Sequence, residues 1–189
     1  MTSIDYDLRY LQAGVEDLQA YLLSDVLYWP VSVSAPHKEP AYPPVTLGNL
    51  LLSRARLQGR LLPEDSQKQL SEAVEKMDAC RQRWRSAWGR KAARSFHARL
   101  TQWQSFLSEH RGRPAEHAGR YPYEVRLRVL LALLKPELEG DNARELSLLA
   151  AIDSQLERVF IPGSFIWEAE LEPSFPKGAY WFLYGELRK

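Results

Sequence analysis

Apolar residues near the start of the chain recur at the spacing of an amphipathic helix. From Ile4 to Leu22 they follow one another at intervals of three or four positions, which places them on one face of an α-helix. Ser3 is suited to cap the first turn, where the helix dipole also favours the acidic residues that follow. The pattern predicts a first helix over residues 3–24.

The same periodicity predicts four more helices, separated by segments that contain proline and glycine. The third of the five predicted helices is either continuous or divided near Gly89, because glycine destabilises a helix interior by about 1 kcal/mol relative to alanine. Residues 110–121 are polar and contain Gly112 and Pro114, which predicts a loop. The four helices are expected over residues 46–60, 64–110, 122–136 and 142–160.

The C-terminal part of the chain has a different pattern. Aromatic and β-branched residues at 165–167 and 180–184 predict two short strands, with prolines and glycines between them. Residues 26–33 are also strand-like and offer a third strand, which Pro30 would confine to an edge. A lone hairpin is marginally stable in water, so we expect it to pack on the helices.

These patterns together predict a mainly α fold within a single domain, residues 1–189. A helical bundle of about five helices forms the core over residues 3–160. A small β-hairpin or three-stranded appendage (α+β) follows over residues 161–189. The length of 189 residues and the 45% apolar content agree with one soluble domain.

Cysteine content and terminal sequence bear on the compartment. The single cysteine, Cys80, cannot form a disulfide within the chain, which is usual for a reducing environment. The first residues lack the basic and apolar regions of a secretory signal. The densest apolar run, residues 129–134, is too short to cross a bilayer. We therefore expect a cytoplasmic protein without a membrane partner.

The net charge is only +1, but the charges are unevenly distributed. Residues 137–172 contain nine acidic residues against two basic ones. Residues 81–99, called the basic segment below, contain no acidic residue and seven basic ones: Arg81, Arg83, Arg85, Arg90, Lys91, Arg94 and Arg99.

The basic segment has a functional and a structural interpretation. Arginine matches the geometry of phosphate, and Trp84, Trp88 and Trp103 offer rings for base stacking, which predicts binding of nucleic acid or another polyanion. Alternatively, the arginines cover the solvent side of a helix, or the segment docks on the acidic region of this chain or a partner chain. The tryptophans continue an apolar stripe that begins at Leu70, which favours the structural interpretations.

Motifs of catalysis are missing from the sequence. It has no glycine-rich phosphate loop, no nucleophile elbow and no zinc-binding pattern. His110 and His117 share a polar segment with acidic residues, but exposed histidines in loops are far more common than metal ligands. Arginines near Cys80 favour a reactive thiol, whereas its apolar neighbours favour burial, which we prefer. We therefore assign no catalytic residue, metal or cofactor.

Three carboxylates alternate with apolar residues at positions 168, 170 and 172. On a strand they would share one face. Such a face can serve acid–base chemistry or bind a cation, but an exposed sheet face is the simpler interpretation.

Aromatic residues of the tail are candidates for a binding surface. Five consecutive large residues at 180–184 cannot all face one side of a strand, and an exposed aromatic patch usually marks an interface. The candidate interface residues are Trp29, Trp167, Tyr180, Trp181 and Tyr184.

The leading hypothesis is a non-enzymatic interaction or structural module that binds protein, either another copy of itself or a different chain. The first alternative is binding of nucleic acid or a polyanion through the basic segment. The second is an enzyme whose site is assembled from distant residues, such as His97 with an acidic partner.

Overall fold

A computed structural model describes residues 2–189 and has the predicted mainly α architecture with a small C-terminal sheet. Over these residues the chain forms nine α-helices and two strands, with four short 3-10 helices. The helices are α1 (Ile4–Glu16), α2 (Leu18–Leu23), α3 (Leu47–Gly59), α4 (Glu64–Arg83), α5 (Arg85–Gly112), α6 (Pro114–His117), α7 (Tyr121–Glu124), α8 (Arg126–Leu134) and α9 (Ala143–Val159). The strands are β1 (Phe160–Phe165) and β2 (Tyr184–Leu187).

The expected number of about five helices is too low, because single residues interrupt three of the predicted ones and the predicted loop contains another. The first predicted helix breaks at Asp17, between α1 and α2. The long predicted helix breaks at Trp84 (φ −115°, ψ 37°) and not at Gly89. Gly89 instead permits close packing, since a Cβ atom there would lie 3.0 Å from Oε2 of Glu139.

The predicted loop at 110–121 is wrong for most of its length. Pro114 begins the short helix α6, which continues through a 3-10 turn at 118–120 into α7. Proline near a helix start costs little, because the amide it lacks would have no intrahelical acceptor there. The prolines and polar residues of this segment therefore form successive helical turns.

Helix α8 is rich in leucine and lies in the centre, against α3 and α5. Val129, Leu131 and Leu134 are completely buried. Helix α1 packs on α3 and α4, and α9 packs on α5. In the described part of the chain, no helix is both long enough and apolar enough to cross a membrane.

The sheet consists of β1 paired antiparallel with β2, joined by a long connection. Phe160 pairs with Leu187, and Phe165 pairs with Tyr184 after an irregularity in the register. Both strands are displaced from the predicted positions, and residues 181–183, expected in the second strand, form a 3-10 helix. Gly185 has φ 155°, and a Cβ atom there would lie 2.2 Å from the carbonyl oxygen of Ile161, so glycine is required.

Two further segments with a strand-like sequence are not strands of the sheet. Residues 26–33 form no strand of the sheet; Trp29 instead makes an isolated antiparallel bridge with Val45, with N–O distances of 3.0 and 2.8 Å. Residues 169–174 form a 3-10 helix, so the alternating carboxylates at 168–172 do not share the face of a strand. In both segments prolines interrupt the backbone amides that a strand ladder needs.

Candidate interaction surface

The basic segment spans the end of α4 and the first half of α5, and acidic residues of the same chain neutralise part of it. Nη2 of Arg81 lies 2.8 Å from Oε2 of Glu137, and Nε of Arg85 lies 2.6 Å from Oε1 of Glu139. Both carboxylates belong to the acidic region 137–172. These two arginines therefore have intramolecular counterions.

Lys91 and Arg99 are buried beneath the segment that follows α2. The Lys91 ammonium donates to the Ser24 hydroxyl at 3.2 Å and to the Val26 carbonyl, and it lies 4.5 Å from the ring centre of Tyr21. Burial, assisted by the charge of Arg94, lowers the pKa of Lys91. Its charge is held inside the fold and is not available to a polyanion.

Arg99 is only 9% exposed. It donates to Oε1 of Gln102 at 2.7 Å and lies 5.6 Å from the ring centre of Tyr28. Burial is the main cause of the lowered pKa of its guanidinium. Arg99 therefore supports the segment above it and is not a surface cation.

Three exposed cations of the basic segment have no ion pair with a described residue: Arg83, Arg90 and Arg94. The guanidinium of Arg83 lies over the Trp84 ring, 5.5 Å from its centre. Arg90 and Arg94 form no ion pair or hydrogen bond with any described residue. They are four positions apart on α5, so they lie on the same exposed face.

Two of the three tryptophans predicted to stack bases are not available for stacking. Trp88 and Trp103 are 3% and 0% exposed. The indole of Trp88 donates to Oε2 of Glu137 at 2.9 Å.

Cys80 is half-buried, and burial raises the pKa of its thiol against the opposing effect of Arg83. The structure therefore supports neither base stacking by Trp88 and Trp103 nor thiolate chemistry at Cys80.

Residues of the aromatic tail pack chiefly against one another. Tyr184 is buried, and its hydroxyl donates to the Phe175 carbonyl at 2.9 Å. Trp181 makes edge contacts with Phe160 and Phe182, at centroid distances of 5.2 and 5.7 Å. The tail therefore contributes its aromatic rings to internal packing.

The other three candidate interface residues are partly buried. Tyr180 contacts the rings of Phe175 and Phe182. The indole of Trp167 donates to the Pro122 carbonyl at 3.0 Å. Trp29 contacts Tyr21, and no ring contact among the described residues joins it to the tail. The five residues do not form one patch.

A group of exposed apolar residues lies elsewhere, in the segment above Lys91 and Arg99. Leu23, Val26, Tyr28 and Val33 are 53%, 47%, 46% and 44% exposed. The contacts of Lys91 and Arg99 attach this segment to α5 beside Arg94. We call the four apolar residues together with Arg90 and Arg94 the 23–33 surface.

Sequence reasoning missed the 23–33 surface because it considered residues 26–33 only as an extended segment or a third strand. The available signal was the combination of four large apolar residues with Pro30 in a short segment. A proline-interrupted segment cannot pair along its whole length, so it cannot bury every apolar side chain through a sheet.

The histidines do not form a metal centre. His110 is buried, with Nε2 3.0 Å from the Arg188 carbonyl oxygen, and His117 lies beside Arg120. No group of three or more His, Cys, Asp or Glu side chains in the described part of the chain is placed to bind a metal ion.

Comparison with protein families, curated proteins and solved structures finds no match to this chain.

Proposed function

We propose that the protein is a non-enzymatic interaction module that binds an acidic, partly apolar segment of another protein on the 23–33 surface. The observation that carries the proposal is an exposed apolar segment attached to α5, the helix on which Arg90 and Arg94 are exposed and have no ion pair with a described residue. Exposed apolar groups bordered by polar residues are typical of protein-binding sites.

The two components of the surface have different physical roles. Removing Leu23, Val26, Tyr28 and Val33 from water supplies binding free energy, whereas unpaired arginines at the edge select an acidic partner and speed its association. Arginine and tyrosine are also enriched at interfaces. Charge complementarity therefore favours a partner that combines carboxylates with apolar anchors.

Nucleic-acid binding has less support. Phosphate contacts provide most of the affinity of such complexes. Of the seven basic residues, only three are neither buried nor paired with a described acidic residue. The tryptophans that would stack bases are buried or half-buried. This alternative and self-association are distinct outcomes of the experiment below.

Fluorescence anisotropy with labelled synthetic peptides tests the proposal. The full chain is titrated into an amphipathic peptide of leucine and glutamate, the matched leucine and lysine peptide, polyglutamate and single-stranded DNA. We expect binding of the leucine–glutamate peptide alone. The Arg90→Gln/Arg94→Gln variant should weaken it by about tenfold, the equivalent of about 1.4 kcal/mol.

Matched variants separate the surface from general charge effects. Arg111→Gln/Arg144→Gln removes the same charge from exposed arginines elsewhere and should leave affinity unchanged. Val26→Ser should weaken binding, whereas Ile161→Ser, at a residue 40% exposed, should not. Equal loss in the charge controls, or preference for DNA, would contradict the proposal. Light scattering over a range of concentrations identifies self-association as a third outcome.

A further inference from the structure

A cavity of about 450 Å³ opens between the start of α1, the middle of α3, the start of α8 and the tail. Its volume falls within the range of about 300–1,000 Å³ that is typical of small-molecule sites. Aromatic and aliphatic side chains form much of its wall: Tyr6, Tyr10, Leu52, Tyr123, Trp167 and Leu171. The cavity is distinct from the 23–33 surface and does not depend on it.

A buried ionic network at one side of the cavity is internally balanced. Nη1 of Arg60 lies 2.6 Å from Oδ2 of Asp7, and its Nε lies 2.9 Å from Oε1 of Glu170. Arg60 also donates to the Thr2 carbonyl at 2.8 Å. Burial raises the pKa of Asp7, while Arg56 and Arg60 oppose that shift. The charge of Arg60 is therefore already neutralised by the protein.

Arg126 differs from Arg60, because no described residue supplies it with a counterion. It forms no hydrogen bond or ion pair with any described residue, and its Nε is shielded from solvent without an acceptor. Its guanidinium lies 5.3 Å from the ring centre of Tyr123. A desolvated donor without an acceptor is costly, and an anion bound in the cavity would relieve that cost.

Polar groups on α3 add to the same wall. Asn49, Ser53 and Arg56 are four and three positions apart, so they lie along one face of the helix and line the cavity. The Ser53 hydroxyl has no side-chain hydrogen bond to a described residue. Nε of Arg56 is 3.5 Å from Oδ2 of Asp7 and is therefore already partly engaged.

Glu168 also lines the cavity. The cavity is therefore not positive throughout, and a negative group is favoured only beside Arg126. A guanidinium binds carboxylate and phosphate through paired hydrogen bonds, which fixes the orientation of the bound group. The tyrosines and Trp167 are suited to contact the remaining, apolar part of the ligand.

We propose that this cavity binds a small organic anion, with its carboxylate or phosphate on Arg126 and an aromatic or aliphatic body against the tyrosines and Trp167. One anionic group matches Arg126, the one cation of the described cavity wall without an ion pair, and the aromatic wall favours an organic body over a strongly hydrated inorganic ion. The shared chemistry is a single anionic head on an apolar body.

Isothermal titration calorimetry on the full chain tests the inference with three probes of similar shape: 2-naphthoate, 2-naphthyl phosphate and 2-naphthalenemethanol. We expect one or both anions to bind about tenfold or more tightly than the neutral alcohol. The better of the two anions distinguishes a carboxylate from a phosphate ligand. Arg126→Gln should remove the preference for the anions and leave binding of the alcohol unchanged.

Two further variants keep the inference falsifiable. Arg144→Gln, at an exposed arginine outside the cavity, should bind all three probes like the parent protein. Ala41→Trp, at an exposed position of the cavity rim, should prevent binding of all three. Thermal unfolding of each variant verifies that it is folded. Absence of binding by every probe, equal binding of alcohol and anions, or full anion affinity in folded Arg126→Gln would overturn the inference.

Discussion

The basic segment and the aromatic tail both look like binding surfaces in the sequence, but the fold uses them differently. The tail buries its rings in edge contacts with one another. The basic segment is divided, with some cations paired or buried and others left in solvent. An aromatic side chain gains from burial on every face, whereas burying a cation is costly where acceptors are missing.

Hydrogen bonds of the tyrosines strengthen this contrast. The Tyr121 hydroxyl donates to the Phe182 carbonyl at 2.6 Å, and that of Tyr184 donates to Phe175 at 2.9 Å. Each phenol satisfies a carbonyl in a segment that forms few regular backbone hydrogen bonds. A residue that supplies both apolar area and a donor suits an irregular tail better than it suits a free surface.

The largest expected effect tests whether the tail is part of the core. Phe182 is completely buried and lies 4.5 Å beneath the guanidinium of Arg128. Phe182→Ala should lower the free energy of unfolding by about 3–5 kcal/mol, measured by urea denaturation. Ile161→Ala, at a residue 40% exposed in the same tail, should cost far less. Equal effects would show that the tail does not belong to the cooperative core.

A smaller effect is expected where the basic segment docks on the acidic region. Glu137 accepts from the Trp88 indole and pairs with Arg81, and its side chain is only 10% exposed. Glu137→Ala should lower the free energy of unfolding by about 1–3 kcal/mol, because it leaves a buried donor without an acceptor. Glu139→Ala removes a solvent-exposed pair and should change stability little. A reversed order would contradict the assignment of Glu137 as the buried anchor.

The smallest effect depends on pH and concerns the contact between α2 and the basic segment. Burial raises the pKa of Tyr21 to about 12. Between pH 10 and 12 the native state retains a proton on Tyr21 that the unfolded state releases. The contribution of this group to the free energy of unfolding is therefore fully present below pH 10 and is lost as the pH rises. The loss from this group should be about 1 kcal/mol per pH unit.

Tyr21→Phe isolates that contribution, since the phenyl ring cannot ionise. Urea denaturation at pH 8, 10 and 11 should show a flatter decline above pH 10 in the variant than in the parent protein. The other buried tyrosines are present in both proteins, so their contributions to the pH dependence cancel in the difference. Identical slopes would mean that the Tyr21 hydroxyl is accessible to solvent and ionises normally.

Helices were predictable to different degrees. Helix α3 begins one residue after Thr46, whose hydroxyl accepts from the Asn49 amide at 3.2 Å, and it ends within a residue of the expected position. Cap and periodicity both lie within the helix, so they can be read locally. The break at Trp84 could not be read in this way, because it reorients α5 relative to elements distant in sequence.

Strands were less predictable, because their positions depend on a partner. Phe160 pairs with Leu187 across a long connection, and no local pattern specifies that register. The segment at 26–33 has the composition of a strand, but Trp29 pairs only with Val45. Strand propensity describes a residue that fits a sheet surface, not the presence of a neighbouring strand.

The sequence by itself determined the helical class, the positions of the long amphipathic helices and the separation of basic and acidic regions, because these depend on composition and on spacing within a segment. Only the tertiary structure decided which charges are ion-paired, buried or left exposed. It paired Arg81 with Glu137, buried Lys91 and gave Arg94 and Arg126 no counterion among the described residues. The physical reason is that the free energy of a charge depends on its solvent exposure and on acceptors from other segments, which no local pattern encodes.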